Sequence, residues 1–469
     1  MPRQTAILVA LGLYLVAVLV LGFVAKARTR DAQGYYLGGR SLGPWVAALA
    51  ANASSSSAWS LVGVSGFAYL YGLSALWIVP GSVGGFVLNW MLVAPRLRDR
   101  SGDAVTLTEY LAGPAGARGR TAVVVVASLL TLGCLLTYVA AQMQAASGAF
   151  QHAFGIAPGY GIAIGAGITV LYTLLGGYLA VSLTDTVQGA LMVLIAVVLP
   201  IAAVAHLGGP GAFADAVAAV DAAGYRSAFG TRDGLAAAGF ALALCGIGLG
   251  YPGQPHAVNK FMGMAPGASM AVARTVGIGW AVLLYAGMIT AGWAARALVP
   301  PLAAGQHELA LYELSQALLP PVVDGLVLAA VLAAVMSTVD SQLLVCASCI
   351  THDLGFGRGG ERAMLRAARV TVLAIGAGAL VAALAVDATV FDHVLFAWAA
   401  LGSAFGPLLL VRLLRGPVSP PWSLAAMAVG GGLAIAGFYL PPLLAKGLTD
   451  RVVSWLAAFA IAFAGTRRR

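Results

Sequence analysis

Long apolar segments alternate with short polar or glycine-rich connections along almost the whole chain. Each segment is close to the roughly 20 residues that an α-helix needs to cross about 30 Å of hydrocarbon. Hydropathy therefore predicts an all-α polytopic membrane protein with about 13 transmembrane helices. The predicted spans are about 5–24, 42–71, 74–95, 121–149, 157–178, 181–205, 234–252, 270–295, 320–350, 368–386, 391–411, 421–440 and 450–465.

Composition indicates the same class, because 60% of the 469 residues are hydrophobic and only 9% are charged. A soluble globular domain carries about 25% charged residues, so soluble classes are excluded. The net charge of +9 does not indicate nucleic-acid binding, because the basic residues are spread over short connections and the chain ends. The lipid bilayer is therefore a predicted partner, with no nucleic acid and no obligate protein partner.

The Lys and Arg residues concentrate in alternate connections, at 26–40, 96–120, 358–369 and 412–415 and at the terminal arginines 467–469, and Lys260 is assigned to the same side. The opposite side holds Arg3, Arg226, Arg232, Arg296, Lys446 and Arg451. Because cytoplasmic connections are enriched in Lys and Arg, we predict a cell (inner) membrane protein with its N-terminus outside and its C-terminus in the cytoplasm. The first segment is expected to stay as a helix, since a basic stretch follows it instead of a signal-peptide cleavage site.

Two carboxylates lie in otherwise apolar segments, Asp185 in SLTDTV and Asp340 in MSTVDS. An ionisable group at bilayer depth costs roughly 3 kcal/mol or more, so it usually faces a cavity and marks an ion or substrate path. Ser337, Asp340 and Ser341 project from one side of a helix, because residues three and four apart are neighbours. For Asp185, an interfacial position from which the side chain snorkels is an open alternative. The two carboxylates make an ion-coupled transporter the first hypothesis.

Two spans are interrupted in ways that a continuous membrane helix avoids. The second carries a polar block near its middle, Asn52 and Ser54 to Ser57, and the seventh contains GIGLGYPGQP at 246–255. Broken helices at membrane depth survive only where the freed backbone lines a cavity or coordinates an ion. The breaks are five spans apart, as two inverted five-helix repeats predict. For the serine block alone, helix–helix packing and hydrogen bonding remain an open alternative.

Other function classes are disfavoured by the same residues. A channel usually shows pore-lining periodicity instead of paired broken helices. The six histidines have no metal-binding spacing and no catalytic motif stands out, so the chain is predicted not to be an enzyme. Cys346 and Cys349 are interpreted as packing residues, with no metal centre and no disulfide. A non-transporting membrane sensor stays open, although the chain ends soon after the last span and no signalling domain is expected.

Four stretches resemble the sodium:solute symporter family, most closely its sodium/proline branch. They are LGGRSLGPWVAALAANASSSSAW at 37–59, LYTLLGGYLAVSLTDTVQGALM at 171–192, GLGYPGQPHAVNKFMGM at 248–264 and LAAVMSTVDSQLLVCASCITHDL at 332–354. The resemblance implies one transporter domain over 1–469 with a LeuT-type fold and alternating access. It implies an extra N-terminal helix at 1–30, inverted repeats at 42–205 and 234–412, and two C-terminal helices at 421–469.

The resemblance also implies the coupling ion, Na+, and its ligands. The common sodium site would use the backbone carbonyls of Ala53, Ser56 and Ala334 with the hydroxyls of Ser337 and Thr338. Half-helix ends expose such carbonyls with negative partial charge. A second cluster, implied by some family members, would join Asp185 with Ser337, Asp340 and Ser341. Because two adjacent carboxylates repel unless a cation or proton lies between them, we predict a second sodium or a shared proton there.

The substrate implied by the resemblance is a small organic solute, foremost an amino acid such as proline. Tyr138, Tyr251 and Pro255 match the proline transporters, and Ser57 lies in the same broken span. Two positions depart from that pattern: Ile247 replaces an aromatic residue and Ser55 replaces an acidic one. A monocarboxylate or another small organic solute is therefore an alternative. No Arg or Lys is predicted at the membrane midplane, which argues against a highly charged substrate.

Overall fold

The computed structural model describes residues 2–26, 36–174, 177–357, 359–385, 390–440 and 447–466, and the regular elements in these ranges are helices. The first half contains α1 (Arg3–Lys26), α2 (Pro44–Ser55), α3 (Val64–Tyr71), α4 (Ile78–Leu88), α5 (Ala94–Arg100), α6 (Leu107–Ala112), α7 (Arg120–Phe154), α8 (Pro158–Thr173), α9 (Tyr178–His206) and α10 (Pro210–Ala218). The second half contains α11 (Gly234–Cys245), α12 (Pro255–Met262), α13 (Met270–Leu298), α14 (Ala310–Leu318), α15 (Pro321–Ser348), α16 (Glu361–Ala385), α17 (Val390–Arg415), α18 (Pro420–Tyr439) and α19 (Ser454–Ala464).

Short turns of other helical types join some of these helices. The 3₁₀ turns are Gly38–Arg40, Gly72–Trp77, Gly246–Gly253 and His307–Leu309, and the π-helical turns are Trp59–Gly63, Asn89–Val93, Cys349–Asp353 and Thr449–Val453. π-helical turns inside α-helices are frequent at functional sites. One of them, Trp59–Gly63, directly follows the break in the second predicted span.

Each predicted span coincides with a helix or with consecutive helical pieces, which confirms the all-α class. Within the described residues, ten helical stretches are long and apolar enough to cross a membrane, and one of them, 59–100, joins parts of the second and third predicted spans. The count of about 13 spans stays a prediction. The connection predicted at Gly176–Gly177 lies partly outside the described residues, because Gly176 is not among them. The basic residues within 27–35 and at 358, 446 and 467–469 also lie outside the described residues.

The break in the second span is formed by its serines. α2 ends at Ser55, and Ser56 leaves the helical region with φ −117° and ψ 86°. Hydroxyls in such a run bond to nearby backbone carbonyls and compete with helical hydrogen bonds. Here Ser55 Oγ donates to Ala51 O at 2.8 Å and to Asn52 O at 3.1 Å. The predicted interruption is confirmed.

The break in the seventh span is formed by glycines and prolines. The turn Gly246–Gly253 is 3₁₀, Gln254 is extended at φ −93° and ψ 101°, and α12 begins at Pro255. Proline removes a helical donor and glycine lowers helix stability, so the chain cannot continue as one α-helix here. This interruption is confirmed as well.

Glycine lets α17 approach the broken turn at backbone distance. A Cβ atom added to Gly402 would lie 2.5 Å from Gly250 Cα, and one added to Gly253 would lie 2.6 Å from Gly402 Cα. Atoms in an unstrained structure do not approach so closely, and here neither partner is a flexible side chain. The broken turn can therefore keep this conformation only because residue 402 is glycine and has no side chain.

The two broken spans lie in the middle of the bundle. α2 packs against α9, α12, α13 and α15, and the turn Gly246–Gly253 packs against α4 and α17. α15 is buried along nearly its whole length and also contacts α1, α7 and α9. The freed backbone at both breaks is thus enclosed by other helices, which is where irregular backbone is tolerated in a membrane.

The first helix is attached to α15. Arg3 Nη2 lies 2.7 Å from Asp324 Oδ2 in an ion pair, and a Cβ atom on Gly325 would lie 2.8 Å from Ala10 Cβ. Further along, Tyr14 OH contacts Met336 Sδ at 3.8 Å and accepts a hydrogen bond from Gln188 Nε2 of α9 at 3.0 Å. These contacts place α1 against the two helices that carry Asp340 and Asp185.

Candidate functional site

Three of the five oxygens predicted for the common sodium site come together where α2 ends against α15. Ser337 Oγ lies 3.2 Å from Ala53 O and 3.2 Å from Ala334 O. Ser56 adjoins them, because its N–H donates to Ala53 O at 3.2 Å. Thr338 is fully buried on the next position of α15, and its Oγ1 has no hydrogen-bond partner among the described residues.

This first cluster fits a hard monovalent cation. Its predicted ligands are three carbonyl oxygens and two hydroxyls, and a cation without a transition-metal preference takes such oxygen ligands. An unpartnered buried hydroxyl is costly unless something binds it, and Thr338 Oγ1 is such a group. The cluster has no formal charge, which suits an ion that must also be released.

The second cluster is built around one carboxylate oxygen. Asp185 Oδ2 accepts from Ser54 Oγ at 2.9 Å and from Ser341 Oγ at 3.3 Å, and the two hydroxyls lie 3.0 Å apart. Asp185 is fully buried on α9. It therefore faces the bundle interior, and the alternative of an interfacial residue that snorkels is wrong.

Lys260 completes this cluster, and its place differs from the sequence interpretation. Its Nζ lies 2.9 Å from Asp185 Oδ2 and 3.2 Å from Ser182 Oγ. The ammonium also sits 5.0 Å from the centre of the Tyr178 ring. The residue is only 1% exposed. The prediction that Lys260 lies in a polar connection is therefore wrong, because its side chain is buried among helices. α12 begins directly after the break and carries the long side chain back between α2 and α9.

The other two residues assigned to the second cluster are Asp340 and Ser337. Asp340 is fully buried, its Oδ1 accepts from the N–H of Ser341 at 2.6 Å, and its Oδ2 has no hydrogen-bond partner among the described residues. Ser337 Oγ contacts the carbonyls of the first cluster instead. Of the four predicted members, hydrogen bonds thus join Asp185 to Ser341 and Ser341 to Asp340.

The predicted substrate residues of the second span lie beside α7. Tyr138 OH donates to Ser57 Oγ at 3.3 Å, and the N–H of Ala58 donates to Gln142 Oε1 at 3.1 Å. Ser55, in contrast, directs its hydroxyl to carbonyls of α2. The structure thus brings Tyr138 and Ser57 together, whereas the hydroxyl of Ser55 is used inside its own helix.

The predicted substrate residues of the seventh span lie among aromatic side chains. Tyr251 OH lies 2.9 Å from Tyr285 OH, and the Tyr251 ring packs edge-on against Trp398 with the ring centres 4.6 Å apart. Trp398 Nε1 donates to the carbonyl of Ile247 at 3.0 Å. An aromatic residue of α17 thus contacts both the backbone of Ile247 and the ring of Tyr251. Pro255 is buried at the start of α12.

Two cavities flank this region. One of about 230 Å³ is lined by Phe67, Tyr71, Arg232, His307, Phe391 and Arg451, among others. The other is only about 10 Å³ and is lined by Tyr36, Tyr178, His256, Lys260, Ser341 and Ser348, among others. A space of that size holds about one water molecule. The two cavities lie at opposite ends of the bundle, and we call these the Tyr71 end and the Lys260 end.

Aromatic rings form a layer between the larger cavity and Tyr251. Phe391 stacks on Phe67 with ring centres 5.2 Å apart and contacts Trp59 at 5.6 Å. Trp59 in turn contacts Tyr285 at 6.1 Å, and Tyr285 is bonded to Tyr251. A solute that enters from the Tyr71 end meets this layer before it reaches the broken helices.

Glu308 holds the start of α17 in this layer. Its two carboxylate oxygens accept from the N–H of Phe391 at 2.9 Å and from the N–H of Val390 at 3.3 Å. A carboxylate at a helix N-terminus is stabilised by the helix dipole. Burial raises the pKa of Glu308, and these two backbone donors oppose that rise. The carboxylate thereby fixes the position of the Phe391 ring over Trp59.

Sequence reasoning missed Lys260, Trp398 and Tyr285 as members of the site. Lys260 stands only five residues after Pro255, so its proximity to the break was a usable signal. Trp398 and Tyr285 lie in continuous apolar helices, and no local pattern separates them from lipid-facing or packing aromatics.

Comparison with known proteins identifies the family. The profile of the sodium:solute symporter family matches residues 35–430. The sodium/proline symporter of Escherichia coli (strain K12) is 36% identical over 445 residues, which cover 92% of this chain and 87% of that protein. The chain belongs to the sodium:solute symporter family. The osmoregulated proline transporter OpuE of Bacillus subtilis (strain 168) is 35% identical over 438 residues, covering 92% of this chain and 88% of the relative.

Two solved structures share the fold. A substrate-bound, outward-open Na+-coupled sialic acid symporter superposes with a TM-score of 0.79 at 19% identity, over 99% of this chain and 97% of that one. MhsT in complex with L-phenylalanine gives a TM-score of 0.57 at 13% identity, over 89% and 97% of the two chains. The predicted LeuT-type fold is confirmed. As a member of this family, the protein is a multi-pass membrane transporter that couples Na+ to a small organic solute and not an enzyme.

Proposed function

We propose that this symporter imports a small zwitterionic amino acid, foremost proline, by alternating access. The observation that carries the proposal is the junction of α2 and α15, where Ser337 Oγ lies 3.2 Å from both Ala53 O and Ala334 O. That junction lies in a chain whose relatives at 35% and 36% identity are proline transporters. A cation there would tie the freed end of α2 to α15 and order the broken backbone for the solute.

The sodium site that we propose comprises the carbonyls of Ala53, Ser56 and Ala334 and the hydroxyls of Ser337 and Thr338. Its support is the short separation of three of these oxygens and the unpartnered Thr338 Oγ1. Sodium entry is favoured by about 2.3 kcal/mol per charge per 100 mV of membrane potential. Binding and release of this ion would drive solute uptake.

The solute site that we propose lies between Tyr138 and Ser57 on one side and Tyr251 and Pro255 on the other. The substrate carboxylate would meet the N-terminal N–H groups of the half-helices that begin after the two breaks, where the helix dipole is positive. Apolar and aromatic surface from Ile247 and Tyr251 would take the ring of proline. Ser55 adds no carboxylate here, so the substrate ammonium would be met by freed carbonyls.

Trp398 would supply the aromatic surface that Ile247 lacks. It packs on Tyr251 and donates to the carbonyl of Ile247. An aromatic contact is worth about 0.5–1.5 kcal/mol beyond its area, so Trp398→Leu should raise the half-saturating proline concentration by about two- to tenfold. Uptake kinetics in proteoliposomes measure this, with Trp398→Phe as the conservative variant and Trp45→Leu, at a 59% exposed position, as the control. An unchanged half-saturating concentration in Trp398→Leu would contradict this role.

For topology, we propose the cell (inner) membrane with the N-terminus outside and the C-terminus in the cytoplasm. The excess of Lys and Arg on alternate connections supports this. The larger cavity at the Tyr71 end would then face outside and the small one would face the cytoplasm. We propose repeats at 42–205 and 234–412, an extra helix within 1–30 and two helices within 421–469, in a single transporter domain.

The deciding experiment is uptake of labelled amino acids and monocarboxylates into proteoliposomes, with and without an inward sodium gradient. We expect sodium-driven accumulation of proline. Sodium-driven accumulation of a monocarboxylate instead would change the substrate class, the alternative that the Ser55 and Ile247 departures favour. Binding of proline without accumulation would indicate a sensor and contradict the proposal.

A further inference from the structure

The buried ion pair between Lys260 and Asp185 occupies the cluster where sequence alone predicted a second sodium or a shared proton. The Lys260 ammonium has two oxygen partners, Asp185 Oδ2 at 2.9 Å and Ser182 Oγ at 3.2 Å, and the face of Tyr178 at 5.0 Å. An ammonium has three N–H donors and no acceptor. Two oxygens and an aromatic face therefore account for its three donors.

The same oxygen, Asp185 Oδ2, also accepts hydrogen bonds from Ser54 Oγ and Ser341 Oγ. Asp185 Oδ2, Ser54 and Ser341 are the kind of oxygens that bind a hard cation. The ammonium lies against this group and carries the single positive charge that a sodium ion would bring. The Lys260 side chain is 2% exposed and that of Asp185 is fully buried, so solvent screens neither charge.

We propose that Lys260 is the permanent cation of this second cluster, so that the symporter binds and couples one sodium ion per solute. This inference rests on the proposed function and specifies its ion coupling. A charge that is covalently attached to the protein beside its site has a high effective concentration there. It therefore excludes a dissolved sodium ion there, while the first cluster remains available to sodium.

The two clusters are adjacent, so the Lys260–Asp185 ion pair lies next to the proposed sodium site. Ser54 follows Ala53 directly, and Ser341 lies one helical turn after Ser337 on α15. Residues four apart on a helix are neighbours on one face. The ion pair thus holds α9 and α12 against the same two helices that sodium would join, without the need for a second ion from solution.

The test counts sodium ions bound by the purified protein, with radioactive sodium at saturation as the probe. We expect one ion per molecule for the wild type. Lys260→Met frees the oxygens of Asp185, Ser54 and Ser341, and we expect it to bind two. Lys260→Met with Asp185→Asn removes both charges together and should return the count to one. Lys260→Arg keeps the charge and should also bind one.

The double variant is the control for misfolding. Removal of one partner of a buried ion pair leaves an uncompensated charge, whereas removal of both partners does not. A wild-type count of two would overturn the inference even if Lys260→Met fails to fold. A count of one in a folded Lys260→Met protein would overturn it as well. A purely structural ion pair would change stability in these variants without changing the number of ions.

Accumulation gives a second readout that separates this inference from the proposed function. At zero membrane potential, a tenfold inward sodium gradient supports at most about tenfold proline accumulation with one coupled ion and about a hundredfold with two, since each factor of ten is worth about 1.4 kcal/mol. We expect about tenfold for the wild type. Accumulation near a hundredfold would overturn the single-ion inference alone, whereas a wild-type protein that binds no sodium would contradict the proposed function itself.

Discussion

Replacement of Ser337 and Thr338 together by alanine is expected to raise the sodium concentration that half-saturates uptake by about a hundredfold. A hydrogen bond to a charged group is worth about 1.5–3 kcal/mol, and we take the same scale for a hydroxyl that contacts sodium. The loss of two such contacts then amounts to about 3 kcal/mol. Initial rates of proline uptake over a series of sodium concentrations measure the shift.

The matched control is Thr371→Ala on α16. Thr371 Oγ1 donates to Ala367 O at 2.9 Å inside its own helix, so this variant removes a back-bonded hydroxyl from a membrane helix outside the site. We expect its sodium dependence to equal that of the wild type. Should the double variant keep the wild-type sodium dependence while it folds normally, the first cluster is not the sodium site.

Gly402→Val is expected to destabilise the protein by about 3 kcal/mol and to stop transport. Any Cβ at this position would lie 2.5 Å from Gly250 Cα, and the cost of overpacking is typically about 1–3 kcal/mol. Backbone on both sides leaves little room for relief, so we expect the upper end of that range. α17 would be forced away from the broken turn and from Tyr251. Thermal unfolding in detergent and proline uptake measure the two effects.

Gly432→Val on α18 is the control for this change. A Cβ atom there has nothing within 4 Å, so it adds the same side chain to a membrane helix without the backbone collision. We expect near wild-type stability and uptake from it. If Gly402→Val unfolds at the same temperature as Gly432→Val and transports proline, the close approach of α17 has no role in fixing the broken turn.

The sequence was sufficient for the features that depend on neighbouring residues. The run of serines after Ala53 and the glycines and prolines at 246–255 disrupt a helix wherever they stand, so both breaks could be predicted. The spacing of Ser337, Asp340 and Ser341 correctly placed polar side chains together on a buried helix. The identity of the oxygens in the first cluster came from family resemblance and not from physical reasoning on the residues.

The features that could not be predicted depend on long side chains and on contacts between residues far apart in the chain. Lys260 follows a break and was treated as a charge in a connection, yet its four-carbon stem carries the ammonium 2.9 Å from Asp185. The prediction of a second sodium or a shared proton beside Asp185 and Asp340 was made without the Lys260 ammonium, which the structure places at Asp185. Trp398 reaches the backbone carbonyl of Ile247 across 151 positions of the chain. No local pattern could indicate it.

The attachment of α1 makes this helix a natural place for a spectroscopic reporter. Arg3 is paired with Asp324, and Tyr14 contacts Met336 of α15 and Gln188 of α9. α1 should therefore move with the helices that carry the ion clusters. Leu13 on its outer face is 68% exposed, so a spin label there leaves the interior untouched. Distances from that label to one near Tyr71 would follow the motion of the ion-binding helices during transport, without any change to an ion or solute contact.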